Sequence, residues 1–340
     1  MTSEVPLGSW TATDPASVGM SEKALDNLAH HMQGTGCIVR SGKLVYSWGN
    51  IERPIDIYSA CKPVITHFLF LALEQGRISN LDRYASDYEP QLLEINAAHG
   101  YKDRAITFRH LGNQLSCYGV EEAPGAAFDY NDWQIALLID ILFLGIYNVP
   151  YDSWDHEILE PFLTGPLGCE DRPTLLAYGP SHRQGRMAIS VRDFARFGLL
   201  YLNEGNWGGR ELLAPHLARR AISEPVANSV PRAGMRAAEM IAGQRSLGSE
   251  AIPDNQSDHF GSYSWCWWIN GVDAAGRRYW PASTPDTFCA LGDENGRRGI
   301  GVVPSRELVI SWNETVLDSY PEVPHPLNEC FDQLLSACEN

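Results

Sequence analysis

Segments with the composition of β-strands lie at the two ends of this chain, and helical patterns fill the middle. Near the N-terminus, residues 36–48 (GCIVRSGKLVYSW) form two apolar runs around Ser41-Gly42, a turn dipeptide typical of a hairpin. Strand-like runs return at 263–271, 276–281, 299–304 and 307–313. This order predicts an antiparallel sheet built from both termini, flanked by helices, with a mainly helical lobe inserted.

Periodicity locates the helices between these strands. It predicts helices at 64–75, 106–115, 132–144, 191–205 and 212–224. The 64–75 segment is apolar on nearly every side, so we expect a central, buried helix that ends near Gly76. We therefore predict a sheet lobe from residues 1–79 and 186–340, a helical lobe from residues 80–185, and an active site in the cleft between them.

One long segment separates the last predicted helix from the C-terminal strands. Residues 225–262 are rich in Pro, Gly, Ser and Asn, with a single short helical pattern at 233–242. Loops of that length in compact proteins are commonly functional. A lid over the cleft and a plain surface insertion both fit this segment.

Charge and hydropathy limit the partners. The net charge is −16, from 26 basic and 42 acidic residues, and Lys and Arg form no cluster. We therefore expect no nucleic acid and no anionic membrane surface as a partner. The apolar stretches at 64–73 and 135–147 are too short to span a bilayer, and the N-terminal residues lack the pattern of a signal peptide.

The remaining motif searches exclude several classes of site. The 8 cysteines are scattered without a C-x-x-C pair, which predicts free thiols in a reducing, cytoplasmic location. The 10 histidines show no ligand spacing, so we expect no metal and no cofactor. G-x-S-x-G, H-E-x-x-H, P-loop and G-x-G-x-x-G motifs are also absent, which argues against the sites that they build.

The start of the buried helix carries a candidate nucleophile. Ser59-Ala-Cys-Lys62 places a hydroxyl and an ammonium group three residues apart, on one face of a helix. A serine at a helix N-terminus also feels the positive end of the dipole, which favours developing negative charge. With 25 serines and four lysines, about 0.3 such pairs are expected by chance. The alternative is that Ser59 caps the helix and Lys62 extends to solvent.

Two later features fit a reaction at this serine. Tyr130, in PGAAFDYNDW, precedes a predicted helix and could relay a proton to a leaving group, although half-buried tyrosines are common in cores. Ala290-Leu291-Gly292 precedes the C-terminal hairpin. A strand edge there could donate a backbone N–H to an oxyanion.

The chain resembles the serine β-lactamase-like hydrolases, which include class C β-lactamases, D-alanyl-D-alanine peptidases and family VIII carboxylesterases. The resemblance covers nearly the whole chain. It rests on S-x-x-K at Ser59 and Lys62, LEQGRISNLD (73–82), AITFRHLGNQLS (105–116), the Y-x-N-like segment at Tyr130, GPLGCED (165–171) and AISVRDFARFGLLYLNEG (188–205). It implies the β-lactamase/transpeptidase-like α/β fold, of the α+β type.

The resemblance also implies a mechanism. Ser59 would attack a carbonyl and form an acyl-enzyme, which water would release. Lys62 and Tyr130 would together shuttle the proton. The backbone N–H groups of Ser59 and of Gly292 or Asp293 would hold the oxyanion.

This chain departs from the family pattern at two motifs. The second motif ends in Asp132 instead of Asn, and a carboxylate there would orient Lys62 while raising its pKa, so that Tyr130 gains weight as the base. The third motif, usually K-T-G, is aligned with Ala290-Leu291-Gly292, with an uncertainty of one residue in register. It carries no cation, although Arg297 or Arg298 could compensate, which argues for neutral esters or amides over penicillins and D-Ala-D-Ala peptides.

Some further residues are weaker candidates. Trp265, Trp267 and Trp268 could line an acyl pocket, but such a run is more often a strand covered on both faces. His182 could touch substrate, but a histidine satisfied elsewhere is the more common case.

The sequence therefore predicts a cytoplasmic serine hydrolase that cleaves a small ester or amide, with no cofactor, nucleic acid or membrane partner. The alternatives within enzymes are a β-lactamase, a D-amino-acid peptidase and an acyltransferase on the same scaffold. A catalytically silent binding protein is the alternative from another class, and Asp132 and Ala290 are the features that support it.

Overall fold

A seven-stranded antiparallel sheet forms the centre of the fold. The computed structural model describes residues 3–177, 186–293, 296–317 and 324–338. The strand order is β2-β1-β11-β10-β9-β8-β7, so strands from both ends of the chain meet at its middle. The strands of the described residues are β1 Thr35–Arg40, β2 Lys43–Trp48, β3 Ile55–Asp56, β4 Ala188–Ile189, β5 Asn206–Trp207, β6 Arg210–Glu211, β7 Tyr263–Ser264, β8 Trp267–Ile269, β9 Phe288–Gly292, β10 Arg298–Val303 and β11 Leu308–Asn313.

The helices fill the middle of the chain and both faces of the sheet. The α-helices of the described residues are α1 Glu22–Met32, α2 Lys62–Glu74, α3 Phe108–Gly112, α4 Asp132–Ile139, α5 Gly165–Leu167, α6 Val191–Leu202, α7 Pro215–Ala221 and α8 Leu327–Ser336. Two π-helical segments, Asp140–Ile146 and Asp155–Thr164, continue the helical middle region. This arrangement is the mixed α/β architecture that the sequence predicts, while its division into two lobes stays a prediction.

The two faces of the sheet are covered by different helices. A Cβ added at Gly198 of α6 would meet Val309 Cγ1 at 2.8 Å, so α6 approaches one face closely. The next residue of β11, Ile310, points to the opposite face, where Phe331 of α8 lies beside Gly301. Both faces are therefore covered, which explains why β11 is buried along its whole length.

Local turn chemistry explains two of the hairpins in the described residues. Ser41 and Gly42 both have positive φ, 50° and 80°, and join β1 to β2. Residues 304–306 form a short 3₁₀ turn between β10 and β11. Both hairpins were predicted from the sequence, and both are confirmed.

Two predicted elements are wrong. Residues 233–242 are not helical in the structure, because they run in extended form beside the chain near Gly119: the Ala238 N–H donates to the Gly119 carbonyl at 2.9 Å. Residues 276–281 are not a strand, because Asp273 accepts the Arg277 N–H at 2.8 Å and folds the chain into a turn. In both places tertiary contacts override the local preference.

Six of the eight cysteines are buried, and Cys169 and Cys338 are partly exposed. All eight cysteines are free, as predicted. Among the described residues no single helix is long and apolar enough to cross a membrane, and only the bent pair Asp132–Ile146 and Tyr151–Leu167 reaches that length and composition together.

Candidate active site

A 3₁₀ turn at Tyr58–Cys61 presents Ser59 at the start of α2. Ala60 and Cys61 are buried, while Ser59 is half-exposed and so is accessible to a ligand. Pro63 lies in the first turn of α2, where its missing N–H costs no helical hydrogen bond. The structure therefore places the Ser59 hydroxyl at a helix N-terminus, as expected.

The residue before Ser59 has an unusual backbone. Tyr58 has φ of 51°, a left-handed conformation that non-glycine residues seldom adopt. Its ring lies between the guanidinium groups of Arg186 and Arg298, at 4.0 Å and 4.1 Å from the ring centroid, and its N–H donates to Asp56 Oδ1 at 2.9 Å. These contacts hold Tyr58, and with it the orientation of Ser59, against the strain.

Lys62 connects the other candidate residues. Its ammonium donates to Ser59 Oγ at 2.9 Å and to Asp132 Oδ1 at 2.7 Å, and it lies 3.9 Å from the centroid of the Tyr130 ring. The Lys62 side chain is only 1% exposed. The structure thus brings Ser59, Lys62, Tyr130 and Asp132 into one cluster.

The charge states in this cluster follow from its contacts. Burial lowers the pKa of Lys62, but Asp132 and Tyr130 together outweigh burial, so the pKa of Lys62 lies above its ordinary value. Burial raises the pKa of Asp132, yet Lys62 and the Ser249 N–H outweigh it and hold the pKa of that carboxyl low. Lys62 and Asp132 are therefore an ammonium and a carboxylate at neutral pH.

Tyr130 stands at the loop-to-helix junction that its sequence position indicates. Burial raises the pKa of Tyr130, and interactions with Lys62 and Ser59 oppose that rise. Asn131, the next residue, caps α4 by accepting the Gln134 N–H at 2.8 Å. This hydrogen bond fixes the start of α4. It therefore also fixes Tyr130 and Asp132, the residues before and after Asn131.

β9 passes close to the nucleophile turn at Gly292. A Cβ at this position would lie 2.1 Å from the Ile57 carbonyl oxygen and 3.0 Å from the Ser59 nitrogen, so only glycine allows the approach. The Thr287 carbonyl accepts from Asn270 N at 2.8 Å, so the backbone groups of Thr287 face β8. Successive residues of a strand face its two neighbours in turn, so the N–H of Asp293, six residues later, points away from β10. Ser59 therefore lies next to the end of β9, at Gly292 and Asp293.

Of the two arginines considered as substitutes for the missing cation at Ala290, one reaches the site. Arg298 donates to the Asp56 carbonyl at 2.6 Å and lies 3.3 Å from Asp293 Oδ2, beside Tyr58. Arg297 instead donates to the Thr315 carbonyl at 3.1 Å.

The three tryptophans occupy different places. Trp265 and Trp267 are fully buried, against Phe70 and Tyr201 respectively, with ring centroids 5.1 Å and 4.7 Å apart. Trp268 stacks on Tyr130 at 6.0 Å. Only Trp268 therefore contacts the candidate site, while the other two pack in the core; His182 lies outside the described residues.

The long segment 225–262 packs against the site residues. Gln256 N donates to the Tyr130 carbonyl at 3.0 Å, and Ser249 N donates to Asp132 Oδ2 at 2.9 Å. These bonds distinguish the segment from a plain surface insertion, while a closing motion over the site stays a prediction.

Several site residues had no signal in the sequence. Arg186 and Asp56 are 130 positions apart, and Ser249 and Asp132 are 117 positions apart. No local pattern marks such contacts, because they depend on how loops meet in the folded chain. Within the ranges that the structure describes, no group of His, Cys, Asp and Glu has the geometry to hold a metal ion.

Comparisons with known proteins place this geometry in context. No model of a protein family matches the sequence, and a search of curated proteins gave no match. Solved structures do match along the chain. A protein described as a 6-aminohexanoate-dimer hydrolase from Bacillus anthracis is 15% identical, with a TM-score of 0.61 over 98% of this chain and 87% of its own.

Two further structures agree with it. A penicillin-binding protein homolog from Caulobacter crescentus is 12% identical, with a TM-score of 0.60 over 97% of this chain and 99% of its own. A β-lactamase from Sulfitobacter sp. EE-36 is 15% identical, with a TM-score of 0.60 over 96% and 98%. At such identities the similarity is one of fold. The chain therefore has the fold of the serine β-lactamases and penicillin-binding proteins, as its sequence predicted.

Proposed function

We propose that this protein is a serine hydrolase that cleaves a small ester or amide through an acyl-enzyme on Ser59. The observation that carries the proposal is the 2.9 Å hydrogen bond from the buried Lys62 ammonium to the accessible Ser59 hydroxyl. A cation at that distance stabilises negative charge on the serine oxygen as its proton leaves. The fold, shared with β-lactamases and penicillin-binding proteins, supports the same chemistry.

In the proposed acylation step, Ser59 Oγ attacks the substrate carbonyl carbon and gives its proton to the Tyr130 phenolate oxygen. Lys62 is already protonated beside Asp132, so it acts as a fixed positive charge and not as the base. The leaving alcohol or amine then takes the proton from Tyr130. In the second half, water attacks the acyl carbon and gives a proton to Tyr130, the bond from the acyl carbon to Ser59 Oγ breaks, and Oγ takes that proton as the carboxylic acid leaves.

The oxyanion of each tetrahedral intermediate would accept hydrogen bonds from the backbone N–H groups of Ser59 and Asp293. The close approach of Gly292 to the Ser59 nitrogen, and the turn of the Asp293 N–H away from β10, support this assignment. Because the phenolate fraction of Tyr130 is small at neutral pH, acylation would speed up as pH rises.

A catalytically silent binding protein is the second candidate. The Lys62–Asp132 ion pair favours it, because an ammonium held by a carboxylate at 2.7 Å cannot accept the serine proton. The two candidates differ in the reactivity of Ser59, which can be measured directly.

The test is intact-protein mass after brief exposure to an alkyl fluorophosphonate. We expect one adduct on the wild type, none on Ser59→Ala, and one on the control Ser79→Ala, which changes an exposed serine outside the site. Turnover of p-nitrophenyl esters compared with nitrocefin then separates an esterase from a β-lactamase. A folded wild-type protein with no adduct overturns the hydrolase proposal and leaves the binding protein.

A further inference from the structure

Residues 246–256 wrap around the N-terminus of α4, where the second motif lies. Leu247 N donates to the Asp132 carbonyl at 3.3 Å, and the Asp132 N–H donates to Asp254 Oδ2 at 2.9 Å. The Leu247 side chain is fully buried, and its carbonyl accepts from Arg186 at 3.0 Å. The segment is therefore fastened on both sides of Asp132.

Both carboxylate oxygens of Asp132 have a donor. Oδ1 accepts from the Lys62 ammonium at 2.7 Å, and Oδ2 accepts from the Ser249 N–H at 2.9 Å. Two donors on opposite oxygens fix the plane of a carboxylate as well as its position. With one donor removed, the side chain regains rotamers that do not face Lys62.

Gly248 lies between Leu247 and Ser249, whose backbone N–H groups both donate to Asp132. It is the point at which the segment comes closest to the site. A Cβ added there would lie 2.5 Å from Asp132 Oδ2 and 2.8 Å from Arg186 Nη1. The backbone of Gly248 does not have the left-handed conformation, so the position requires glycine for space alone. Any larger residue must displace either the segment or the carboxylate.

We propose that residues 247–249 form a backbone clamp that positions the Asp132 carboxylate against the Lys62 ammonium, with Gly248 as its positioning residue. The importance of this clamp for activity rests on the proposed function at Ser59. The geometry of the clamp does not rest on that proposed function, because the clamp acts on an ion pair that exists whether or not Ser59 reacts.

The charge of Lys62 reports on the clamp. The titratable groups that face Lys62 are Asp132, Tyr130 and the thiols of Cys61 and Cys266. Gly248 lies against the first of these, so a change at Gly248 reaches Lys62 through Asp132. A looser carboxylate stabilises the ammonium less, and Lys62 then loses its proton at lower pH.

The chain has only four lysines, so their titration can be followed individually by NMR of ¹³C-labelled lysine side chains. We expect Gly248→Ala to lower the titration midpoint of Lys62 by at least roughly one pH unit. The matched control is Gly145→Ala, because a Cβ at Gly145 meets nothing within 4 Å. It should leave the midpoint of Lys62 unchanged.

The same variants are then labelled with fluorophosphonate across pH. The proposal expects the labelling profile of Gly248→Ala to move to lower pH, because a looser Asp132 carboxylate raises the pKa of Tyr130 less, while the profile of Gly145→Ala stays in place. In an Asp132→Asn background, adding Gly248→Ala should shift neither the Lys62 titration midpoint nor the labelling profile any further, because the charge on which the clamp acts is gone.

Two results overturn the clamp: an unchanged Lys62 midpoint in folded Gly248→Ala, or an additional shift of that midpoint in the Asp132→Asn background. If Gly248→Ala does not fold, amide hydrogen exchange at Ser249 replaces it. The Ser249 N–H should be protected in the wild type and lose at least about tenfold of its protection in Asp132→Ala. Equal protection in both overturns the clamp. A shifted Lys62 midpoint without any Ser59 adduct rejects the proposed function alone.

Discussion

Replacing Asp132 by Asn removes the charge that holds Lys62 protonated. Asp132 Oδ1 and Lys62 Nζ are 2.7 Å apart, and the side chains of Asp132 and Lys62 are 7% and 1% exposed, respectively. At an effective dielectric constant of about 20, Coulomb's law gives an attraction of about 6 kcal/mol at this distance. Even half of that energy lowers the titration midpoint of Lys62 by roughly two pH units.

In this variant only Tyr130 still opposes the effect of burial on the pKa of Lys62. Because burial disfavours the ammonium, the lysine of Asp132→Asn becomes neutral at lower pH. A neutral amine 2.9 Å from Ser59 Oγ is a general base in place. We expect fluorophosphonate labelling of Ser59 at pH 7 to become at least about tenfold faster than in the wild type, and its pH profile to move down.

The same change alters how stability depends on pH. In the wild type, the raised pKa of Lys62 stabilises the fold, and this stabilisation is lost when pH rises through the Lys62 pKa. The lowered pKa of Asp132 also stabilises the fold, and this stabilisation is lost when pH falls through the Asp132 pKa. Around neutral pH both contributions are complete and constant. In Asp132→Asn the contribution of Asp132 is gone and that of Lys62 shrinks with its pKa, so the free energy of unfolding at neutral pH should fall by about 3 kcal/mol.

The assays are fluorophosphonate labelling rates and urea unfolding, each from about pH 6 to pH 9. The matched control is Asp103→Asn, which breaks the other buried Lys–Asp pair, where Lys102 Nζ lies 3.1 Å from Asp103 Oδ1. That control should change stability and leave the labelling profile in place. An Asp132→Asn profile that coincides with the wild type, in a folded protein, refutes the electrostatic account of Lys62.

Three further outcomes follow from the structure. Gly292→Ala should slow Ser59 labelling by about 100-fold or more, measured as a second-order rate, because its Cβ would enter the space beside the Ser59 nitrogen. Tyr130→Phe should slow it by roughly 10²-fold or more at every pH while far-UV circular dichroism stays unchanged, because the phenol oxygen alone is lost. Burial raises the pKa of Asp129 to about 7, so its neutral form stabilises the fold and that stabilisation is lost as pH rises through 7. Asp129→Asn should therefore exceed the wild type in urea unfolding free energy by on the order of 2–4 kcal/mol at pH 8, with a smaller difference at pH 5.

Local patterns predicted the parts of the fold that local chemistry determines. The hairpin at Ser41-Gly42 needs only two residues that accept positive φ, and α2 needs only its apolar run. The Ser59–Lys62 contact follows from a spacing of three residues, and the structure has it at 2.9 Å. The approach of Asp132 to Lys62 came only from the family resemblance, because no periodicity joins positions so far apart.

The parts that the sequence missed depend on contacts between distant loops. Residues 233–242 have good helix formers, but Asn96 and Gly119 bind their backbone, and the Glu239 N–H donates to Asn96 Oδ1 at 2.8 Å. Gly248 looks like any loop glycine until Asp132 lies beside it. Such positions are defined by the neighbour and not by the pattern, so a single sequence does not reveal them.

The charges around the nucleophile bear on the substrate. Each cation of this cluster has a carboxylate partner: Lys62 with Asp132 at 2.7 Å, Arg186 with Asp56 at 2.9 Å, and Arg298 with Asp293 at 3.3 Å. A substrate carboxylate would have to compete with one of these internal partners for its cation, and that partner would then lose its ion pair. A neutral ester or amide needs no such exchange. Its negative charge would develop only in the transition state, beside the proposed backbone donors and the α2 N-terminus. The paired arrangement thus favours substrates that arrive uncharged, and anionic esters should react more slowly than neutral esters of the same size.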